Sequence, residues 1–551
     1  MNSNSIQDSS GDRTRVERHE VIGSNPILGI VVSCFYFNNK KIKGETKMNF
    51  AQAMVKETQK KLTENGAMAY NTSGDALLDL FSTIGALRSR TVEDIEKKFA
   101  KAFKENPLLA TKTLFYARDI RQGGLGERRT FRICLKWLSD NYPEIVTKNL
   151  LNIAFFGRID DMYCLFDTEK KNNKKDVLDF IGETLMGDIE LASNNKPISL
   201  LGKWLPSVNT SSAQTRRYAT IIRKHLRLSE REYRKLLSAL RKYIKVVERQ
   251  MSLGQWEEIE YPSIPSYAMK NYRKAFAKRD NERFSAYIQS LKKGEVKVNA
   301  STLFPYDLVH QYADALSRWS RKVKEDIIVE EQWKALPNYV EGENNFVVMA
   351  DVSESMYGRP METSVGLASY FAQRNHGMYN GLYMTFTDKP HFIDINDCNS
   401  LAEIVAKVYQ TDVGYNTNLA KAFRYILDTA VGAGVSPEEM PKALVVISDM
   451  EIDPYFPSSP WHSKGYRGKT LDFVAQMKKE FEKANYSMPK LVLWNVEARN
   501  DTFLSQSDDI VFVSGQSPSV FKKLCGALEG KTAFDFMLEV LNSKAYDCVI
   551  I

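Results

Sequence analysis

From about residue 51 to residue 291, apolar residues recur at spacings of three and four, the period of helices with one buried face, and no strand-length β-branched run interrupts them. The spacing predicts helices over 75–87, 92–103, 108–118, 130–138, 145–154 and 177–185. Ser229-Glu230-Arg231-Glu232 reads as a capping box opening a further helix that runs to about residue 251. Such a succession predicts stacked helix pairs of the solenoid or ring kind, although no strict repeat length is present. After residue 345 the period changes. Apolar runs over 346–350, 381–387, 443–448, 490–496 and 510–513 alternate with helical patterns over 361–375, 399–409, 418–431, 471–484, 517–527 and 533–541, and 391–395 reads as an edge strand. Uninterrupted apolar strands are those buried on both faces, so this half is expected to be a doubly wound, mostly parallel sheet.

The fold class is therefore α + α/β: an all-α helical-repeat module followed by a doubly wound α/β domain. Residues 1–47 read as an extension expected to be disordered. They do not read as a secretory signal, because the region before their apolar stretch is long and mixed in charge and no small-residue cleavage site follows. The helical module covers 48–329 and ends with a helix at 305–324. An acidic, proline-containing linker is expected over 330–344, and the α/β domain over 345–551. No run approaches the roughly 20 apolar residues of a membrane helix. Six cysteines, at 34, 134, 164, 398, 525 and 548, form no C-x-x-C pair. Free thiols in a reducing compartment, the cytoplasm, are expected, and a zinc site is not.

Charge divides the chain more sharply than its net of +8 suggests. Residues 101–300 hold 38 Lys and Arg against 23 Asp and Glu, a net of +15, and the remainder carries −7. A basic middle points to a polyanion, with nucleic acid first, although a solvated helical surface can be as basic. Three features carry this. In the stretch over 118–129, RDIRQGGLGERR, three glycines sit among Arg118, Arg121, Arg128 and Arg129; glycine amides and guanidinium forks can hold a phosphate, but a loop between helices needs glycine too. Lys203 precedes Trp204, which can stack on a base or simply pack a helix end. On a helix over 230–251, Arg231, Arg234, Lys235, Arg241, Lys242, Lys245 and Arg249 fall within about a 120° arc opposite the leucines.

The α/β half carries different chemistry. The first strand ends in Asp351-Val352-Ser353-Glu354-Ser355, where a carboxylate and two hydroxyls leave the carboxyl end of a buried strand. Thr417 opens a helix, and Asp449 ends the strand over 443–448. Hard oxygen ligands of this kind suit Mg²⁺ or Mn²⁺. A phosphoryl-accepting aspartate would need a lysine at a later strand end, no G-x-S-x-G elbow occurs, and no phosphate-binding glycine loop follows a strand, so an enzyme is not expected.

D-x-S-x-S, then a loop threonine, then a strand-end aspartate resembles the metal ion-dependent adhesion site of von Willebrand factor A-like domains. The resemblance implies Ser353 and Ser355 as direct ligands, Thr417 as a direct or water-mediated one, and Asp351 and Asp449 holding waters. Glu354 departs from it, since glycine is frequent there. RDIRQGGLGERRTF, FGRIDDM, GKWLPS, VVERQMS, YPSIPSYAM, DVSESM, SDMEID, LWNVEARN and VFVSG together resemble the family designated domain of unknown function 2828. The order of the two halves is similar to that of the Ro autoantigen proteins, whose helical part is the TROVE domain. That similarity implies small or structured RNA as partner, without a residue-by-residue correspondence. The expected function is thus a non-enzymatic, ribonucleoprotein-type RNA-binding protein with a divalent ion in its α/β domain. The alternative is a scaffold whose ion captures a carboxylate of a protein partner, and neither reading involves a membrane.

Overall fold

The computed structural model describes residue 54, residues 58–65, 67–316, 323–342, 344–386, 390–410, 417–453, 473–504 and 510–525, residue 528 and residues 530–551. The extension over 1–47, and with it Cys34, lies outside the described residues. Helices dominate as far as residue 334, with one correction to the pattern: Lys60–Leu62 (β1) and Met68–Tyr70 (β2) form a short antiparallel hairpin. Three residues per strand are too few to leave a periodic trace. Helices Val92–Glu105, Pro107–Arg118 and Arg129–Asn141 follow the apolar spacing and pack on one another. Thr91 and Asn106 cap the first two by accepting from the backbone amides of Asp94 and Leu109. The stretch over 145–154 is not one helix but two, Pro143–Lys148 and Leu150–Phe156, divided at Asn149.

The capping box at Ser229 is present, with the Ser229 hydroxyl accepting from Glu232 N–H and the Glu232 carboxylate accepting from Ser229 N–H. The helix it opens is shorter than its pattern. It runs Glu230–Tyr243, turns through Ile244, Lys245 and Val246, and restarts as Val247–Leu253. Lys245 takes φ +49°, while its amide donates to Lys242 O and that of Val246 to Arg241 O. This is a glycine-type helix ending made with a lysine, invisible to a search for glycine or proline. It also divides the packing. Buried residues as far as Leu240 share a core with the sheet, whereas Val247, Ile259, Met269, Phe276, Phe284, Tyr287 and their neighbours build a second cluster. The stretch read as an acidic linker begins inside a helix, Ile327–Lys334, whose Glu330 is buried and accepts from the amides of Leu401 and Ala402 at 2.7 and 3.2 Å.

The second half is the expected sheet. Phe346–Asp351 (β3), Leu382–Phe386 (β4), Phe392–Asp394 (β5), Ala443–Ser448 (β6), Lys490–Asn495 (β7) and Ile510–Ser514 (β8) are arranged β5-β4-β3-β6-β7-β8, parallel except for the edge strand β5. In domain order this is third-second-first-fourth-fifth-sixth, so the chain reverses its direction of winding between β3 and β6. That switch point is where open α/β sheets bind ligands. Register pairs Ala350 with Ile447, which sets Asp351 and Asp449 beside each other at the carboxyl ends of the two strands.

Gln59–Ile551 forms one compact unit. At the seam Gly85 approaches Gly515 so closely that a Cβ on Gly85 would lie 2.8 Å from the Gly515 backbone. Helix Pro305–Leu316 packs on Arg359–Arg374 and Leu401–Gln410, and residues 317–322 of its predicted span lie outside the described residues. No helix among the described residues is long and apolar enough to cross a membrane.

Candidate ion site and cationic surface

Asp351 and Asp449 are 1% and 2% exposed, and each is held from its own strand end. Ser448 Oγ donates to Asp351 Oδ2 at 2.5 Å, and the Ser353 amide donates to Asp351 Oδ1 at 3.0 Å. The Glu451 amide donates to Asp449 Oδ1 at 3.1 Å, while Asp449 Oδ2 has no hydrogen-bond partner among the described residues. The two serine hydroxyls lie 3.2 Å apart, Ser353 buried and Ser355 half-buried. Burial, and then the facing Asp449 carboxylate, raises the Asp351 pKa to about 7. Burial also raises Asp449, against the opposing pull of the Glu451 amide and Arg499. Two carboxylates driven toward neutrality, two hydroxyls and an orphaned buried carboxylate oxygen form a hard-oxygen set short of positive charge, and Mg²⁺ or Mn²⁺ fits it. Such an ion would be held by Ser353, Ser355 and the two aspartates, and would supply a positive centre for a ligand oxygen.

Thr417 is buried and turned onto the loop after β6. Its hydroxyl donates to Glu451 O at 3.4 Å, and its amide donates to Asp453. The loop before it, 411–416, lies outside the described residues. Glu354 is exposed. Three neighbours escaped the sequence reading. Ser448 is the hydrogen-bond donor that fixes Asp351. Glu451, 2% exposed, accepts from the Glu64 amide of the β1–β2 turn at 2.7 Å and from Thr502 at 3.3 Å. Arg499 donates to Ser355 O and sits 3.8 Å from Asp449 Oδ2. The motifs SDMEID and LWNVEARN contained Glu451 and Arg499, but nothing in their spacing tied them to Asp449.

The cationic candidates separate into two groups. The glycine–arginine stretch is structural, which corrects its reading as a phosphate loop. Arg118 is 2% exposed and donates to Asp161 Oδ2 at 2.7 Å. Arg128 and Arg132, the latter just beyond the stretch, also pair with Asp161, at 3.3 and 2.8 Å, and against its burial the charge of the arginines holds the Asp161 carboxyl below its usual range. Arg121 donates to the carbonyls of Ala154, Phe155 and Gly157 at a helix end. The loop amides of Leu125, Gly126 and Glu127 are spent on the carbonyls of Tyr116, Asp119 and Ala117. Arg129, though exposed, donates to Arg88 O at 3.2 Å. Lys203 lies 5.5 Å from the Trp204 ring, whose face also takes Arg158 at 4.2 Å. Arg241 is consumed by Gly202 O, Ser207 Oγ and Leu205 O at 3.1, 3.0 and 2.7 Å.

Arg231, Arg234, Lys235 and Lys242 are exposed along Glu230–Tyr243, and no ion pair engages them among the described residues. Because the helix breaks at Ile244, Lys245 and Arg249 do not continue this row. They line a cleft of about 820 Å³, together with Arg241, Lys242, Arg283 and, from the second apolar cluster, Ile259, Tyr261 and Tyr287. Glu257, Glu258 and Glu260 also line it, and Glu260 pairs with Lys245 at 2.9 Å. The Nε of Arg249 and the hydroxyl of Tyr287 are buried without a hydrogen-bond partner among the described residues.

The model of domain of unknown function 2828 matches residues 63–159 and 160–343, and that of domain of unknown function 7788 matches residues 345–539. Uncharacterized protein L728 of Acanthamoeba polyphaga mimivirus is 30% identical over 530 residues, covering 89% of this chain and 88% of that protein. Among solved structures, the Deinococcus radiodurans Ro (RSR) protein is 11% identical, with a TM-score of 0.38, over 83% of this chain and 100% of its own. Matched by the family model throughout 63–343 and by a relative along most of its length, the chain belongs to the family of domain of unknown function 2828.

Proposed function

We propose that the protein is a non-enzymatic RNA-binding protein of the cytoplasm, whose phosphate contacts lie on the exposed face of Glu230–Tyr243 and in the adjoining cleft. The supporting observation is the row Arg231, Arg234, Lys235 and Lys242, exposed and outside any described ion pair, whose last member Lys242 also lines the 820 Å³ cleft. A cation with no internal partner is free to release counterions from a phosphate backbone. Among polyanions, RNA is the class implied by the resemblance of domain order. Filter binding of small structured RNAs and of duplex DNA at about 50 and 200 mM salt tests the reading. Replacing Arg234, Lys235 and Lys242 together by Gln should flatten the slope of log affinity against log salt by roughly 2, at about 0.7 per lost contact. An unchanged slope, or no RNA binding at the lower salt, would overturn the proposal.

A second reading concerns the α/β half and is favoured by the orphaned Asp449 Oδ2. There a divalent ion on Ser353, Ser355, Asp351 and Asp449, with Thr417 closing the loop, captures a carboxylate of a protein partner. EDTA or Asp351→Ala should then abolish capture of an acidic partner and leave RNA binding as it was. Loss of both together would contradict two separate sites.

A further inference from the structure

Arg499 adds a fixed positive charge to the ion site, and the charge count gives it a role. Asp351 and Asp449 contribute two negative charges when ionised, and a divalent ion cancels both. Glu451, buried beside them, is a third negative charge, and the Arg499 guanidinium, 3.8 Å from Asp449 Oδ2, offsets it. Its position is fixed from both sides. Its Nη2 donates to Ser355 O inside the site. Its own carbonyl accepts from Arg90 at 3.0 Å, and Asp501, two residues on, pairs with Lys98 at 2.9 Å. Its side chain remains about one-third exposed, so it faces both the buried carboxylates and whatever approaches from solvent.

We propose that Arg499 is the specificity-determining residue of the ion site: it weakens binding of the bare divalent ion and makes the loaded site favour an anionic ligand. The inference rests on the ion-site reading above. Without an ion the guanidinium partly neutralises Asp449, and an arriving cation meets both the occupied carboxylate and a like charge. An anionic ligand on the ion is attracted by the same guanidinium, so ion and anion favour each other's binding. The opposing charge is partly solvated and therefore screened, which limits its effect to about tenfold in ion affinity.

The test is Mn²⁺ binding to the full chain, followed by electron paramagnetic resonance, for the native protein, Arg499→Gln and Arg499→Lys, in chloride and in acetate of equal ionic strength. Gln keeps a donor for Ser355 O but loses the charge, and Lys keeps the charge. Arg499→Gln should bind Mn²⁺ about tenfold more tightly than the native protein in chloride, with Arg499→Lys within about threefold of it. Acetate should tighten Mn²⁺ on the native protein and not on Arg499→Gln. Equal or weaker binding by Arg499→Gln overturns the inference and leaves the ion site standing. Gln and Lys variants behaving alike also overturns it, because the hydrogen bond rather than the charge would then matter. If neither the native protein nor Arg499→Gln binds Mn²⁺, the ion-site reading fails and the inference falls with it.

Discussion

Asp161→Asn separates the structural from the nucleic-acid reading of the glycine–arginine stretch. Asn keeps the volume of the side chain and one acceptor oxygen for the Arg158 amide, which donates to Asp161 Oδ2 at 3.0 Å, while its NH2 replaces the oxygen that accepts from Arg128 and Arg132. What it leaves behind is the Arg118 guanidinium, on a side chain that is 3% exposed. An uncompensated buried charge of this kind costs about 3–5 kcal/mol. Arg128 and Arg132 can turn to water, their side chains being 41% and 29% exposed, so they add little, and the low end, about 3 kcal/mol, is expected. Urea unfolding followed by tryptophan fluorescence measures it, with Trp204 under Arg158 as a local reporter.

The penalty should depend on pH with a definite sign. The folded-state pKa of Asp161 lies below its ordinary value, so its contribution is fully present above about pH 4 and is lost as the pH falls through the folded value. The difference between native and variant proteins should therefore be constant around neutrality and shrink in acid. The double replacement Arg118→Met with Asp161→Leu should recover most of the loss, since an apolar pair needs no desolvation. Stability within about 0.5 kcal/mol of native for Asp161→Asn, together with a steeper RNA salt slope, would refute the reasoning and return these arginines to phosphate binding.

Two further perturbations test the seam between the halves. Gly85→Ala should destabilise by about 1–3 kcal/mol, measured as a fall in the urea midpoint, because its Cβ meets the Gly515 backbone and cannot be accommodated by turning a side chain. Glu451→Ala should cost about 2–3 kcal/mol by leaving the Glu64 amide and the Thr502 hydroxyl without their acceptor, and should weaken Mn²⁺ binding by loosening the loop that carries Asp449. Native-like Mn²⁺ affinity in that variant would show that the loop holds its shape without the hairpin.

The sheet was legible almost residue by residue because its strands are buried on both faces. Ala443–Ser448 and Phe346–Asp351 are apolar throughout until their ends, and each ends at the polar residue that the ion site uses. Asp351, Ser353, Ser355 and Asp449 could be found from strand ends alone, since the switch point brings together whatever stands there. The cations were a harder case. An arginine spent on a buried carboxylate and one free in solvent look identical in a row of letters, and the partner that decides Arg118 lies 43 residues away. Asp161 stands in the motif FGRIDDM, but nothing in that motif shows that three arginines converge on it. The helix break at Lys245 was hidden for a different reason: its left-handed turn is made by a residue that usually avoids it.

The sequence suggested two halves acting separately, and the contacts around the ion site argue against that division. The loop bearing Asp449 is clasped at Glu451 by the β1–β2 turn, where Thr63 also donates to Ile452 O at 2.6 Å and Asn65 to Glu451 O at 2.6 Å. The loop bearing Arg499 is clasped by Arg90 and Lys98, from the start of the helical half. Both loops beside the two carboxylates therefore take their conformation from residues that precede the sheet by some 250 positions or more. A strand end can place Asp351 without help, because sheet register fixes it. Asp449 and Arg499 stand on loops whose backbone is held by the helical half, so the electrostatics of the ion site belong to the folded unit Gln59–Ile551 rather than to the α/β domain alone.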